Sequence, residues 1–292
     1  MESEENKDKI LLAGPWVGEF GWELFGWQAY LRYLSQFYKE THVISRPGHG
    51  VLYEDFATKF YEFDPQGNHT SLHMCNNMKA SPNELIKSIK ADVYFTGQFN
   101  IGVKYDGHTV QDPYNLFEKQ VFHKYTALAD TEKIDILMHP RNKPQDTHRN
   151  WSKAKWEECI AALSPQYSIA IIGNSDVPKF DNTIDLRNIP LSMLVSYMAN
   201  TRLVVGPSSG PMHLASLCGA PHLVWTSGIN RMRYEQWWNP FGTKCILVAS
   251  EDMGQFSGWD PPVESIVNSI DEFLKQQNDA SHQSQNDVSI SA

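Results

Sequence analysis

Three short stretches hold the residue types that chemistry needs. The first is VVGPSSGPMHLASLCGAP, from Val204 to Pro221. An apolar run stops at a Gly/Pro/Ser cluster, and an alanine-rich, helix-like run follows at once. Backbone N–H groups at a helix start point outward, and the helix dipole favours an anion there. Gly206 and Gly210 let a phosphate approach the backbone, and Ser208 and Ser209 add hydroxyl donors. The structural alternative is a tight strand–helix turn with an N-cap serine, and on this stretch alone both stay open. It is neither a Walker loop, since no Gly-Lys-[Ser/Thr] follows, nor a Gly-x-Gly-x-x-Gly fingerprint. The second stretch, MHPRNKPQDTHRN (138–150), carries Arg141, Lys143 and Arg149. The third, GPWVGEFGWE (14–23), sets Glu19 and Glu23 among Trp16, Phe20 and Trp22. A carboxylate there is partly desolvated, which raises its pKa; a glutamate favoured by the helix dipole is the alternative.

The elements that position these stretches alternate. KILLAG (9–14) is a short apolar run suited to a buried parallel strand. A glycine loop, a helix over 22–38 and a strand over 41–46 complete a βαβ unit. A helix (83–90) and a strand (91–97) follow, and 98–125 is without clear period. A second series starts near 134, with strands at IDILMHPR, YSIAIIGN, TIDLRNI, RLVVG, PHLVWTSG and CILVAS. Its helices are 151–164, 190–201, PMHLASLCG and 261–277. The pattern predicts an α/β chain of two facing Rossmann-like domains with parallel sheets, 1–130 and 131–277, and a disordered tail at 278–292. Ligands then bind at the carboxyl ends of the strands.

Composition bounds the rest. The 292 residues are 41% hydrophobic, enough for an ordinary core, and carry a net charge of −9, which argues against a broad nucleic-acid footprint. Nine Trp, twelve Tyr and fourteen Phe suit either core or a cleft that stacks sugars or bases. The four Cys are far apart, as expected of free thiols in a reducing compartment. The polar N-terminus is not read as a signal peptide, and no apolar run reaches membrane-helix length, so a cytoplasmic protein without a membrane span is expected. His69, His73 and Cys75 form a loose cluster with no evident fourth metal ligand. RMRYEQWWNPFG (231–242) either lines a cleft or packs its tryptophans on the sheet.

GPSSGPMHLASLCGAP resembles the signature of glycosyltransferase family 9, the heptosyltransferase-like enzymes. Gly206, Ser209, Gly210, His213, Leu214, Ala215, Gly219 and Pro221 match it, and Ser208 stands where the family usually has Asp. The ordered series from MHPRNKPQDTHRNWSKAKWEECIAAL through IAIIGNSD to the signature resembles the same family over about 134–226. The resemblance implies the two-domain GT-B arrangement and a glycosyltransferase that uses a nucleoside-diphosphate sugar as donor, with no separate cofactor or metal. Ser208, Ser209, Gly210 and Met212 would meet the diphosphate, with His213 touching the ligand. Arg149, and with less weight Arg141, would balance its charge. A Gly-Asp pair in the family's first loop supplies the base; Gly18-Glu19 is the nearest equivalent here and Glu23 the competitor. Inverting, metal-independent transfer to a glycan or lipid-linked sugar is the implied reaction. The rivals are transfer to a hydroxymethylated base in DNA or a nucleoside, with nucleic acid only as acceptor, and a non-catalytic nucleotide-sugar-binding module.

Overall fold

A computed structural model describes residues 6–67, 69–71, 74–95 and 119–290. His73, Lys104 and most of the aperiodic stretch 98–125 lie outside these residues. The chain divides into two compact units at His123–Lys124, with 190–192 counted in the first. The sequence reading had drawn that boundary at 130–131.

The first unit starts with β1 (Ile10–Ala13), whose Leu11, Leu12 and Ala13 are buried. A helical run follows in three parts: α1 (Phe20–Trp22), a π-helical turn (Glu23–Trp27) and α2 (Gln28–Ser35). Its buried face is Leu24, Phe25, Trp27, Ala29, Leu31 and Leu34; of the helical spacing Trp22, Phe25, Ala29, Tyr33 and Phe37 read from the sequence, only Phe25 and Ala29 are buried. Then come β2 (Glu40–Ser45), β3 (Lys59–Glu62), a two-stranded hairpin of β4 (His69–Ser71) and β5 (Met74–Asn76), α3 (Asn83–Ser88) and β6 (Val93–Phe95). The four-stranded sheet runs β3-β2-β1-β6, all parallel.

The second unit contains β7 (Ile136–Met138), α4 (Lys153–Leu163), β8 (Ile169–Gly173), β9 (Ile184–Arg187), α5 (Leu191–Asn200), β10 (Leu203–Pro207), α6 (Gly210–Cys218), β11 (His222–Thr226), β12 (Cys245–Ala249) and α7 (Val263–Ile290). Its six strands are parallel in the order β12-β11-β10-β7-β8-β9. The chain lays β7 first, adds β8 and β9 on one side, then returns to lay β10, β11 and β12 on the other. The strand order therefore reverses between β7 and β10, the switch point at which open α/β sheets offer a ligand crevice.

Local signals explain several boundaries. Ser152 caps α4 by accepting from the Lys155 N–H at 3.3 Å. Gly219 ends α6 in a left-handed conformation, and the Ala220 N–H turns back to the Ala215 carbonyl at 2.9 Å. The last helix continues to Ile290, past 277, where apolar spacing ends and a disordered tail was expected. Its Ser, Asn and Gln residues contain no Pro or Gly to stop a helix already anchored by Ile266, Ile270 and Leu274 in the core. The tryptophans answer the question raised by composition. Trp151, Trp156 and Trp225 pack together with centroids 4.6–5.5 Å apart in the core of the second unit. Trp16 and Trp27 stack at 5.4 Å in the first.

Candidate functional site

The Gly/Pro/Ser stretch leaves β10 at Pro207 and enters α6 at Gly210, on the carboxyl side of the second sheet beside the β7–β10 crevice. Gly206 lies inside the strand. A Cβ there would stand 3.0 Å from the His139 carbonyl oxygen and 3.2 Å from Met212 Sδ. Packing of β10 against the end of β7 accounts for this glycine, which the sequence reading had assigned to phosphate approach.

Ser208 is 2% exposed, and each of its polar groups is engaged. Its N–H donates to the Trp225 carbonyl at 2.9 Å, because pairing with β11 runs one residue past the strand. Its carbonyl accepts from Arg149 Nη2. Its Oγ accepts from the Tyr234 hydroxyl at 2.8 Å. The outward hydroxyl expected of Ser208 is therefore replaced by a structural one. Met212, expected at the ligand, is wholly buried, and its N–H donates to the Ser209 carbonyl at 3.1 Å. His213 is 3% exposed, stacked on Tyr234 at 4.8 Å and edge-on to Trp238 at 4.5 Å. Burial, then the charges of Arg233, His222 and Arg149, holds its pKa well below the usual range, so the ring is neutral. It supports the loop from beneath rather than reaching a ligand.

Ser209 and Gly210 are the half-exposed remainder. Ser209 is the N-cap of α6, with extended backbone, yet makes no side-chain cap bond. Among the described residues its Oγ is buried and has no hydrogen-bond partner. The Gly210 amide opens the helix, where no intrahelical acceptor exists, and Pro211 has no N–H to satisfy. An orphaned hydroxyl at a positive helix end fits an anion.

Arg149 supplies the countercharge. A left-handed Asp146 (φ 52°) starts the short 3-10 turn Thr147–Arg149 that carries it. Its guanidinium lies 4.6 Å over the Trp259 ring, and Nη1 is 3.7 Å from Asp146 Oδ2. Its Nε is buried with no partner among the described residues. Arg141 is 5% exposed and holds this loop from inside. Nη1 donates to the Asp146 carbonyl at 3.0 Å and to Asn150 Oδ1, and Nη2 donates to the Gln145 carbonyl at 2.8 Å. The expected ligand contact of Arg141 is thus a brace that aims Arg149 at Ser208. Asp176, at the turn after β8, is exposed and lends only its carbonyl, to Asn142.

On the first unit, Glu19 is half-buried at the start of α1 and makes no side-chain cap bond. Glu23 is wholly buried. Its Oε1 accepts from Ser45 Oγ at 2.5 Å and the Tyr53 hydroxyl at 2.6 Å, and its Oε2 accepts from His49 Nδ1 at 2.7 Å. Burial alone pushes its pKa up, but the His49 ring, Ser45 and Tyr53 outweigh it, and the net shift is down. The carboxylate is charged and saturated with donors. Among the described residues no three His, Cys, Asp or Glu side chains converge on a metal position, and no helix is long and apolar enough to cross a membrane.

No protein-family model and no curated protein sequence matches the chain. Solved structures do. The glycosyl transferase family 9 protein of Veillonella parvula DSM 2008 superposes with a TM-score of 0.61 at 14% identity, over 94% of this chain and 99% of that one. The fold is that of a family 9 glycosyltransferase. E. coli ADP-heptose LPS heptosyltransferase II superposes with a TM-score of 0.58 at 12% identity, over 92% and 99% of the two chains. The iron-containing dodecameric glycosyltransferase TibC of enterotoxigenic E. coli gives 0.55 at 15%, over 93% and 81%. The family 9 fold accounts for both parallel sheets.

Two groups at the site were not paired with their partners from the sequence, Tyr234 being read there only within the 231–242 stretch. Tyr234 and Trp259 hold the loop and Arg149, but each comes from a segment remote in sequence, 26 and 110 positions from its partner by residue number. His49, in the stretch Pro47–Gly50 that reads from the sequence as an acceptor loop or a turn, meets Glu23 for the same reason. A helix face and a neighbouring strand's exit converge only once β1 and β2 pair.

Proposed function

We propose that this chain transfers a sugar from a nucleoside-diphosphate sugar to an acceptor hydroxyl, with inversion and without a divalent ion. The observation that carries the reading is the buried, partnerless Ser209 Oγ at the start of α6, beside Arg149, at the crevice between β7 and β10. The donor diphosphate accepts from Ser209 Oγ and the Gly210 amide. Arg149 balances the charge that grows on the leaving diphosphate, which helix N–H groups and a guanidinium stabilise without metal. The family 9 fold supports this reading, and two fold relatives are an ADP-heptose LPS heptosyltransferase and a heptosyltransferase in complex with ADP-D-β-D-heptose. We assign the acceptor, a glycan or a lipid-linked sugar, to the first unit. At the carboxyl end of its sheet two groups can take a proton, Glu19 and the imidazole of His49.

The test is thermal unfolding with ADP, UDP and GDP and their sugars, followed by assay of nucleoside diphosphate release. One of these nucleotides raises Tm, and Arg149→Ala removes the rise. Absence of a shift with every nucleotide overturns the reading. Binding without release across a panel of sugar, nucleoside and hydroxymethylated-DNA acceptors identifies a binding module instead.

A further inference from the structure

We propose that His49, oriented by Glu23, is the general base that takes the acceptor's proton. The inference rests on the glycosyl-transfer reading and names the group that completes it.

Glu23 is an unusual glutamate to bury. It sits at 0% exposure at the start of the π-helical turn, and among the described residues no Lys or Arg pairs with it. Its three donors are two hydroxyls and one imidazole nitrogen. π-Turns of this kind interrupt regular helices and recur at functional sites. An ionised carboxylate only accepts, so Nδ1 of His49 carries a proton toward it. In the tautomer that holds that proton alone, Nε2 keeps a lone pair. The same logic orients an imidazole in hydrolytic triads, where a buried carboxylate fixes the tautomer and steadies the cation once the ring has taken a proton.

The ring's surroundings fit this use. Its side chain is 19% exposed, against 0% for Glu23, so the pair has one sealed end and one open end. The Phe20 ring packs edge-on at 5.5 Å and covers part of the imidazole. The backbone on both sides is pinned: the Gly48 N–H donates to Glu62 Oε1 at 2.9 Å and the His49 N–H to the Arg46 carbonyl at 3.1 Å. Arg46 itself reaches across to the Val17 carbonyl, tying the loop after β2 to the loop after β1. His49 thus stands at the carboxyl end of the first sheet, the edge where open α/β sheets receive ligands.

The step balances without another reagent. The acceptor O–H bond breaks and its proton goes to Nε2 as the oxygen bonds to the anomeric carbon. The anomeric C–O bond to phosphate breaks, and its electron pair leaves with the diphosphate. His49 becomes an imidazolium facing Glu23, and the proton is later lost to water.

The experiment uses the full chain with the nucleoside-diphosphate sugars above and measures nucleoside diphosphate release. His49→Asn and His49→Gln bind nucleotide as the wild type does but lose about 100-fold or more in kcat, the usual worth of a general base. In His49→Gly, added imidazole restores turnover, and the restored rate follows the basicity of substituted imidazoles. Glu23→Gln lowers kcat and leaves KM unchanged, as expected of a positioning residue. Nitrogen NMR of the wild-type protein finds the His49 proton that faces Glu23 on Nδ1. His49 variants that turn over at the wild-type rate overturn the proposal, as does a wild-type ring with the proton on Nε2 alone. Loss of turnover in Glu19→Gln with full turnover in His49→Asn returns the role to Glu19. No release by the wild type with any donor and acceptor overturns the glycosyl-transfer reading, and this inference with it.

Discussion

At the scale of single residues, the loop at 206–213 separates support from contact. Ser208, Met212 and His213 stand in the stretch that resembles the family signature, yet Ser208 Oγ accepts from Tyr234, the Met212 N–H donates to Ser209 and the His213 ring stacks on Tyr234. Ser209 has a buried hydroxyl with nothing to bond. This leads to an expectation opposite to the usual one for an N-cap serine. Ser209→Ala leaves stability to urea unchanged, since no cap bond is lost. The same change weakens nucleoside diphosphate binding about tenfold, the worth of one hydrogen bond to a charged group. Isothermal titration and a urea melt on the one variant decide it. Tyr234→Phe does the reverse. It strips the donor from Ser208 Oγ inside the protein and costs about 1 kcal/mol of stability, read from the urea midpoint.

At the scale of elements, two glycines do mechanical work: Gly206, expected from the sequence to let a phosphate approach, and Gly14. Gly206 lets β10 lie against the end of β7, and Gly206→Ala forces the His139 carbonyl and Met212 Sδ aside. A loss of about 1–3 kcal/mol is expected from such overpacking, measurable by thermal unfolding. Gly14 follows β1 with φ +117°, and a Cβ there would overlap the Ile44 carbonyl oxygen, which already accepts from the Trp16 N–H at 3.0 Å. Gly14→Ala therefore displaces the loop that carries Glu19 and destabilises the first unit more than Gly206→Ala does the second. The elements themselves were readable from the chain. Apolar runs bounded by Gly and Pro became the strands, and the 3.6-residue spacing became the helices. What periodicity could not register was the π-turn at Glu23, because one extra residue in a turn leaves the apolar spacing nearly intact.

At the scale of the whole molecule, acid lability follows from buried imidazoles. Burial holds His139 and His222 to about 4, against the usual 6.5, and His213 well below it. Above the ordinary histidine pKa neither the folded nor the unfolded state binds these protons, and stability is full. As pH falls from 6.5 toward about 4, the unfolded chain takes up protons that the folded chain refuses, so stability falls. Glu23 adds to the loss at lower pH, because its folded-state pKa is depressed and protonation favours the unfolded chain. Urea midpoints measured from neutral pH down to about 5 should decline, and His222→Asn should flatten the decline. A flat wild-type profile would contradict the buried neutral rings.

The sequence by itself determined the α/β class, the two series of strands and helices, and the ordered signature that resembles family 9. These depend on local spacing and on residue types next to one another, which a chain displays directly. It also brought Arg149 and the 206–213 loop forward together, and the structure joins them through the Ser208 carbonyl. Which signature residues face outward was decided by tertiary structure alone. Ser208 is drawn inward because β11 lies beside β10 and Tyr234 comes under the loop from a distant segment. Arg141 is consumed within its own loop. Glu23 acquires His49 only when β2 pairs with β1. Burial and hydrogen-bond partners are properties of space between remote segments, and no local pattern encodes them.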